Sequence, residues 1–146
     1  MNERELIIRD AVESDAVAIN SLLVQLGYAD IGVETTTRKI LDHRRPGYLL
    51  LVGEWQGNVI AFIALHWYDL LHYHKKAGRI TSFCVDENHR SHGFGLALLT
   101  QAERFLFAQG CVRVEVTSNL RRTRAQSFYL DNGYQEVSRH FVKKRQ

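Results

Sequence analysis

The chain has 146 residues, a formal net charge of +3, and hydrophobic and charged fractions of 45% and 24%. Those values suit one globular domain, 1–146, with a sizeable core, and the charge is too mild to imply a nucleic-acid partner. No apolar run approaches the roughly 20 residues that span a bilayer, and Met1-Asn2-Glu3-Arg4-Glu5 lacks a secretion signal's basic start and apolar block, so a soluble cytoplasmic protein with no membrane partner is expected.

Leu6-Ile7-Ile8-Arg9 reads as a first strand. Asp15 precedes a helical run in which Val17, Ile19, Leu22, Leu23 and Leu26 recur at helical spacing, and Gly27 is placed to cap it. Tyr28 to Val33 reads as a loop. Glu34 to about His43 predicts a second helix with a narrow apolar side at Thr36, Ile40 and Leu41, stopped by Pro46 and Gly47. Tyr48–Gly53 and Val59–His66 predict a hairpin across Trp55-Gln56-Gly57-Asn58. Trp67 to Lys76 is aromatic and histidine-rich, with no clean period; it reads as a strand end followed by a loop. If His72-x-His74 lay on a strand both rings would share a face, yet no third ligand can be named, so no metal is assigned.

The run from Arg79 to Leu99 organises the rest. Ile80 to Val85 predicts a buried central strand, followed by Asp86-Glu87-Asn88-His89 and then Arg90-Ser91-His92-Gly93-Phe94-Gly95. Leu96 opens a helix that reaches Ala108 and stops at Gly110. A strand feeding a glycine turn and a helix N-terminus is a ready anion site, because unpaired N–H groups and the helix dipole converge there. A dinucleotide fingerprint fails, since its third glycine position is Leu98, and no Gly-Lys-Ser/Thr triplet exists for a P-loop. Beyond Gly110 come a strand over Val112–Thr117, a helix over Arg124–Asn132 capped by Gly133, and a last strand over Tyr134–Lys143. Cys84 and Cys111 fall within predicted strands and are expected to be reduced and buried.

Arg90-x-x-Gly93-x-Gly95 between strand and helix resembles the acyl-CoA-binding motif of the GNAT superfamily of N-acetyltransferases. Ala125-x-x-Phe128-Tyr129-x-x-x-Gly133-Tyr134 is similar to a second signature of that superfamily, and Ala11-Val12-Glu13-Ser14-Asp15 to its opening. The resemblance implies an α/β (α+β) GNAT fold: a mixed, mostly antiparallel central sheet with flanking helices and a splayed cofactor cleft. It implies acetyl-CoA as co-substrate, held by Arg90, Ser91, His92, Gly93, Phe94, Gly95 and Leu96, with the main chain of Phe83, Cys84 and Val85 pairing the pantetheine arm. Asn119, Ala125 and Phe128 would add cofactor contacts, and Tyr129 would act as acid toward the leaving thiolate. The early helical segment would wall the acceptor pocket, with Tyr28, Trp67, His72 and Ser82 as substrate contacts and a homodimer as the common assembly.

The nearest likeness within the superfamily is to aminoalkylphosphonate N-acetyltransferases, carried by Leu65-His66, the His72 region, Arg79-Ile80 and Thr117-x-Asn119-x-x-Arg122-x-x-Ala125. That group carries carboxylates on the central strand where this chain has Arg79 and Ser82, so the group that deprotonates the amine needs another source. His66, His72, His74 or a water chain are the candidates, since histidine titrates in the right range, and His66 is ranked first because it ends a strand facing the expected cleft. The expected reaction is acetyl transfer to a small primary amine by direct attack. A protein or peptide acceptor, or a CoA-binding sensor without turnover, are the alternatives.

Overall fold

The computed structural model describes residues 5–118 and 122–145. Its elements run β1 (Ile7–Asp10), a 3-10 turn (Glu13–Asp15), α1 (Ala16–Leu26), α2 (Val33–Asp42), β2 (Tyr48–Trp55), β3 (Asn58–Asp69), β4 (Lys76–Val85), a 3-10 turn (Glu87–His89), α3 (Phe94–Ala108), β5 (Cys111–Val116) and α4 (Thr123–Asp131). The strands form one mixed sheet in the order β1-β2-β3-β4-β5, and the first four pair antiparallel. The chain divides into two compact units, 1–115 and 116–146. Among the described residues, no helix is long and apolar enough to cross a membrane.

In the first unit each sheet face is covered by a different helical layer. Ala16, Ile19 and Leu22 of α1 and Ile40 of α2 pack on Leu50, Val52, Phe62, Ala64 and Cys84. On the other face α3 sets Leu98, Leu99, Ala102 and Leu106 into the core, each at most 1% exposed. Leu106 lies against Gly78, where even a methyl group would meet its side chain at 2.9 Å. That close approach lets α3 lie down on β4. Each core leucine removed from water stabilises the fold by about 1.5–3 kcal/mol.

The capping predicted for α1 is present. Gly27 takes φ 109°, and the Gly27 and Tyr28 amides donate to Val24 and Leu23 carbonyls at 3.1 and 2.8 Å. At the start, Arg9 grips Asp15 with two bonds of 2.8 and 2.9 Å, and the Val12 amide donates to the same carboxylate at 2.8 Å. The Arg9 contact first, and the Val12 bond after it, hold the Asp15 carboxyl below the usual aspartate range against the opposing cost of burial.

Three boundaries differ from the sequence expectation. β3 continues to Asp69 and β4 begins at Lys76, so His66 lies inside a strand rather than ending one. Residues 70–75 are the connecting loop, and His72 and His74 are exposed there, alternating on no sheet face. The predicted last strand over 134–143 is absent: the described residues 134–145 carry no strand, and 135–145 are exposed. A strand forms only where a neighbour accepts its ladder bonds, which alternation in one sequence does not reveal.

Candidate active site

Two features of the first unit bring the predicted residues together. The first is the turn between β4 and α3. Ser91 and Gly93 adopt φ of 69° and 79°, and the left-handed Gly93 is the N-cap of α3. No side chain caps this helix, and the first intrahelical bond is Ala97 N–H to the Gly93 carbonyl at 3.1 Å. The amides of Phe94, Gly95 and Leu96 therefore have no intrahelical acceptor. A Cβ at Gly93 would meet nothing within 4 Å, so the helix start is uncovered at that residue. Bare amides, a positive helix end and a side-chain-free approach suit a diphosphate.

The turn is braced from behind. Arg90 Nε donates to the Val85 carbonyl at 3.2 Å, which makes its guanidinium a strut of the turn. His89 Nδ1 meets Asp86 Oδ2 at 2.5 Å, and Gln25 of α1 donates to Asp86 Oδ1 at 2.7 Å while accepting from the Glu87 amide at 3.0 Å. The Gln25 bond, then His89, hold the Asp86 carboxyl below its ordinary range. On the outer side, His92 and Phe94 stand 6.5 and 5.6 Å from the Trp55 ring.

Phe83, Cys84 and Val85 pair with Ile63, Phe62 and Ala61 of β3. The Cys84 thiol is a core group, 5% exposed, donating to the Leu22 carbonyl at 3.5 Å. Burial pushes the Cys111 thiol up, against the pull of Lys76. A raised, buried thiol is a poor nucleophile.

The second feature is a polar row across β2, β3 and β4, next to the rows that α1 and α2 cover. Tyr48, His66 and Arg79 are direct cross-strand partners and so share a face. Ser82 is in the adjoining row, opposite Ala64. The register slips between Ala64 and Leu65, leaving Thr81 as an extra residue in β4 whose hydroxyl donates to the Ala64 carbonyl at 3.2 Å. This bulge is what turns Arg79 onto the face of His66. The His66 ring stacks on Tyr48 at 4.2 Å and lies 5.0 Å from the Tyr68 ring. Its Nδ1 is 2.7 Å from the Gly47 carbonyl. Tyr68 Oη reaches Glu115 Oε2 at 3.5 Å, and Arg113 holds the other Glu115 oxygen at 2.9 Å. Burial, then the Glu115 charge, push the Tyr68 phenol up, while Arg79 pulls it down.

Sequence reading named His66 and Ser82 as site residues but not Tyr48, Tyr68 or Glu115, and it met Arg79 as part of a likeness and as a departure from it, without a role. The one trace of the bulge is the pair of hydroxyl residues, Thr81-Ser82, that breaks the alternation of the strand. Trp67 points to the opposite face, packed edge-on at 5.2 Å from Phe105 of α3. Tyr28 is 48% exposed just past the α1 cap, and His72 is on the β3–β4 loop; neither joins the row.

In the second unit, Tyr129 is half-buried on α4, with Phe128 at 5.6 Å and Tyr134 at 5.5 Å. Asn132 N–H and Tyr134 N–H donate to its carbonyl at 3.1 and 3.0 Å, closing the helix before Gly133. Burial pushes the Tyr129 phenol up to about 12, with the Arg122 charge pulling the other way. Ala125 is half-buried one turn earlier on α4. Asn119 lies outside the described residues.

Comparison with known proteins gives the fold first, and acetyltransferases are among the solved structures that share it. An aminoglycoside N-acetyltransferase in complex with CoA superimposes with a TM-score of 0.85 over 97% of this chain and 95% of its own, at 14% identity. Glucosamine-6-phosphate N-acetyltransferase from Arabidopsis thaliana does so at 0.81, over 97% and 99%, at 22% identity. The chain belongs to the acetyltransferase (GNAT) family, whose model matches residues 17–134. An uncharacterised N-acetyltransferase of Chlorobaculum tepidum is 27% identical over 99% of this chain and 85% of its own length. An aminoalkylphosphonate N-acetyltransferase of Salmonella typhimurium is 32% identical over 60% of this chain and 56% of its own. The family makes this chain an acyl-CoA-dependent N-acetyltransferase.

Proposed function

We propose that the chain moves an acetyl group from acetyl-CoA to the primary amine of a small molecule, by direct attack of the amine on the thioester. The observation that carries the reading is the uncapped start of α3, where the amides of Phe94, Gly95 and Leu96 lack intrahelical acceptors next to an uncovered Gly93. Those amides would hold the diphosphate, with the β4 main chain from Phe83 to Val85 orienting the arm. Acetyl-CoA supplies the activated acetyl group; the chain supplies binding and proton handling.

An alkylamine has a reference pKa of about 10.4, so it arrives charged and must lose a proton before it attacks. His66 would take that proton at Nε2. Tyr129, its phenol held up to about 12, stays protonated and would donate to the departing sulfur. The amine nitrogen gains the acyl carbon as the C–S bond breaks, and the charged amine gives up two protons in all: one to His66 before attack, passed on to solvent, and one as the amide forms, which balances the proton that Tyr129 gives to the thiol.

Arg79 in the His66 row supports an acceptor that carries an anionic group, such as a phosphonate or carboxylate. The partial likeness to the Salmonella typhimurium enzyme points the same way. A thiol-release assay over small amines with and without an acidic group, peptides, and no acceptor tests the reading. Release with acidic small amines is the expected result. Release with peptides alone would move the function to protein acetylation, and no release with bound CoA would make the chain a sensor.

A further inference from the structure

We infer that Gly47 and Tyr48 are positioning residues for His66: the Gly47 carbonyl locks the imidazole as its Nδ1–H tautomer, and the Tyr48 ring fixes its plane, leaving Nε2 as the proton-accepting atom. This rests on the reading that His66 takes the proton of the amine.

A carbonyl oxygen only accepts, so the ring nitrogen 2.7 Å from Gly47 O must carry hydrogen. A neutral imidazole has one N–H, and placing it on Nδ1 leaves the lone pair on Nε2. Among the described residues, Nε2 has no hydrogen-bond partner. The ring thus pairs the nitrogen that sets the tautomer and keeps the lone pair on the other.

The carbonyl is itself held. It also accepts the Trp67 amide at 3.0 Å, so the residue after His66 pins the same oxygen that His66 uses. Gly47 sits at φ 89°, and a Cβ there would stand 3.3 Å from the Trp67 carbonyl. Glycine is therefore the residue that delivers this oxygen without strain. Tyr48 lies 4.2 Å from the imidazole at an interplanar angle of 15°, and the Arg45 guanidinium is 4.3 Å from the Tyr48 centroid. One ring face cannot hold both at those distances, so Tyr48 is clamped between cation and imidazole. The turn that ends α2 thus sets the orientation of a side chain on β3.

Long-range 15N–1H spectra of the full-length protein at neutral pH read the tautomer directly, with His66→Gln assigning the signal. The expected pattern is a proton on Nδ1 and none on Nε2. In kinetics, Tyr48→Leu should lower kcat roughly ten- to a hundredfold with KM for acetyl-CoA unchanged, and Tyr48→Phe, which keeps the ring, should restore kcat. A proton on Nε2 in the wild type overturns the inference, and if His66→Gln is then still impaired the base reading survives alone. A proton on Nδ1 with full turnover in His66→Gln removes the base reading, and with it any role in positioning. Folded Tyr48→Leu with wild-type kcat also overturns the inference.

Discussion

Replacing Gly78 by alanine tests how α3 is seated on the sheet. The added Cβ would stand 2.9 and 3.0 Å from the two Leu106 methyl carbons and 3.2 Å from Cγ. Unstrained carbons rest about 3.5–4.0 Å apart, so β4 and α3 must part by roughly half an ångström or more. Leu106 is fully buried and has no room to swing away. Such overpacking costs about 1–3 kcal/mol, offset by about 0.4–1 kcal/mol from the stiffer unfolded chain. The net loss is about 1–2 kcal/mol, a Tm drop of roughly 2–8 °C for a domain of this size. Leu106→Ala alone should cost about 3–5 kcal/mol through the cavity it leaves. In that background the alanine methyl enters the void, so Gly78→Ala should become neutral or stabilising, a coupling of about 1–3 kcal/mol. Urea unfolding of the four proteins measures the cycle. Additive losses would refute the close approach of α3 to β4.

Three further outcomes are expected. Gly93→Val forces a branched residue into φ 79°, at a cost of about 1–2 kcal/mol, and should weaken CoA binding at least tenfold by calorimetry; Gly110→Val, strained at φ 94° at the far end of α3, should lose similar stability and keep its CoA affinity. Tyr129→Phe should cut turnover by about 10²–10³ with KM for acetyl-CoA little changed, and an unchanged rate would end its assignment as the donor to sulfur. Asp15→Asn should cost about 1–3 kcal/mol at neutral pH, because it removes the carboxylate that takes two bonds from Arg9 and leaves that guanidinium only the longer contact to Glu54 at 3.4 Å. The Asp15 carboxyl is depressed in the folded state, so its contribution is present above the unfolded value, about 3.9, and fades as pH falls through the lower folded value. Thermal melts on acidification should therefore fall more steeply in the wild type than in the variant, and parallel curves would refute the linkage.

Features that act through local backbone chemistry were legible from the residues. Gly27 and Gly133 stop their helices by adopting positive φ, Pro46 ends the second helical segment, and Gly93 opens α3 at positive φ, because each imposes its geometry without help from distant chain. Features that depend on pairing were not. Nothing local separates 134–143, which alternates like a strand and forms none, from 111–116, which finds a place in the sheet. The row of Tyr48, His66 and Arg79 joins three strands, and its membership turns on where the register slips. The Gly47 carbonyl is a main-chain atom, invisible to any reading of side-chain types. The chemistry of His66 is plain from its residue type, but the neighbours that orient its ring are set by the fold.

The extra residue at Thr81 makes β4 two half-strands with independent parity. Toward the turn, even-numbered residues such as Ser82 and Cys84 share the α1 side; beyond the slip, odd-numbered Arg79 does. Were the strand straight from Ser82 onward, Ile80 would stand opposite His66 and the guanidinium would be driven in among Trp67 and Phe105. One inserted amino acid thus decides which side chain stands beside His66 while the residues next to the turn keep their facing.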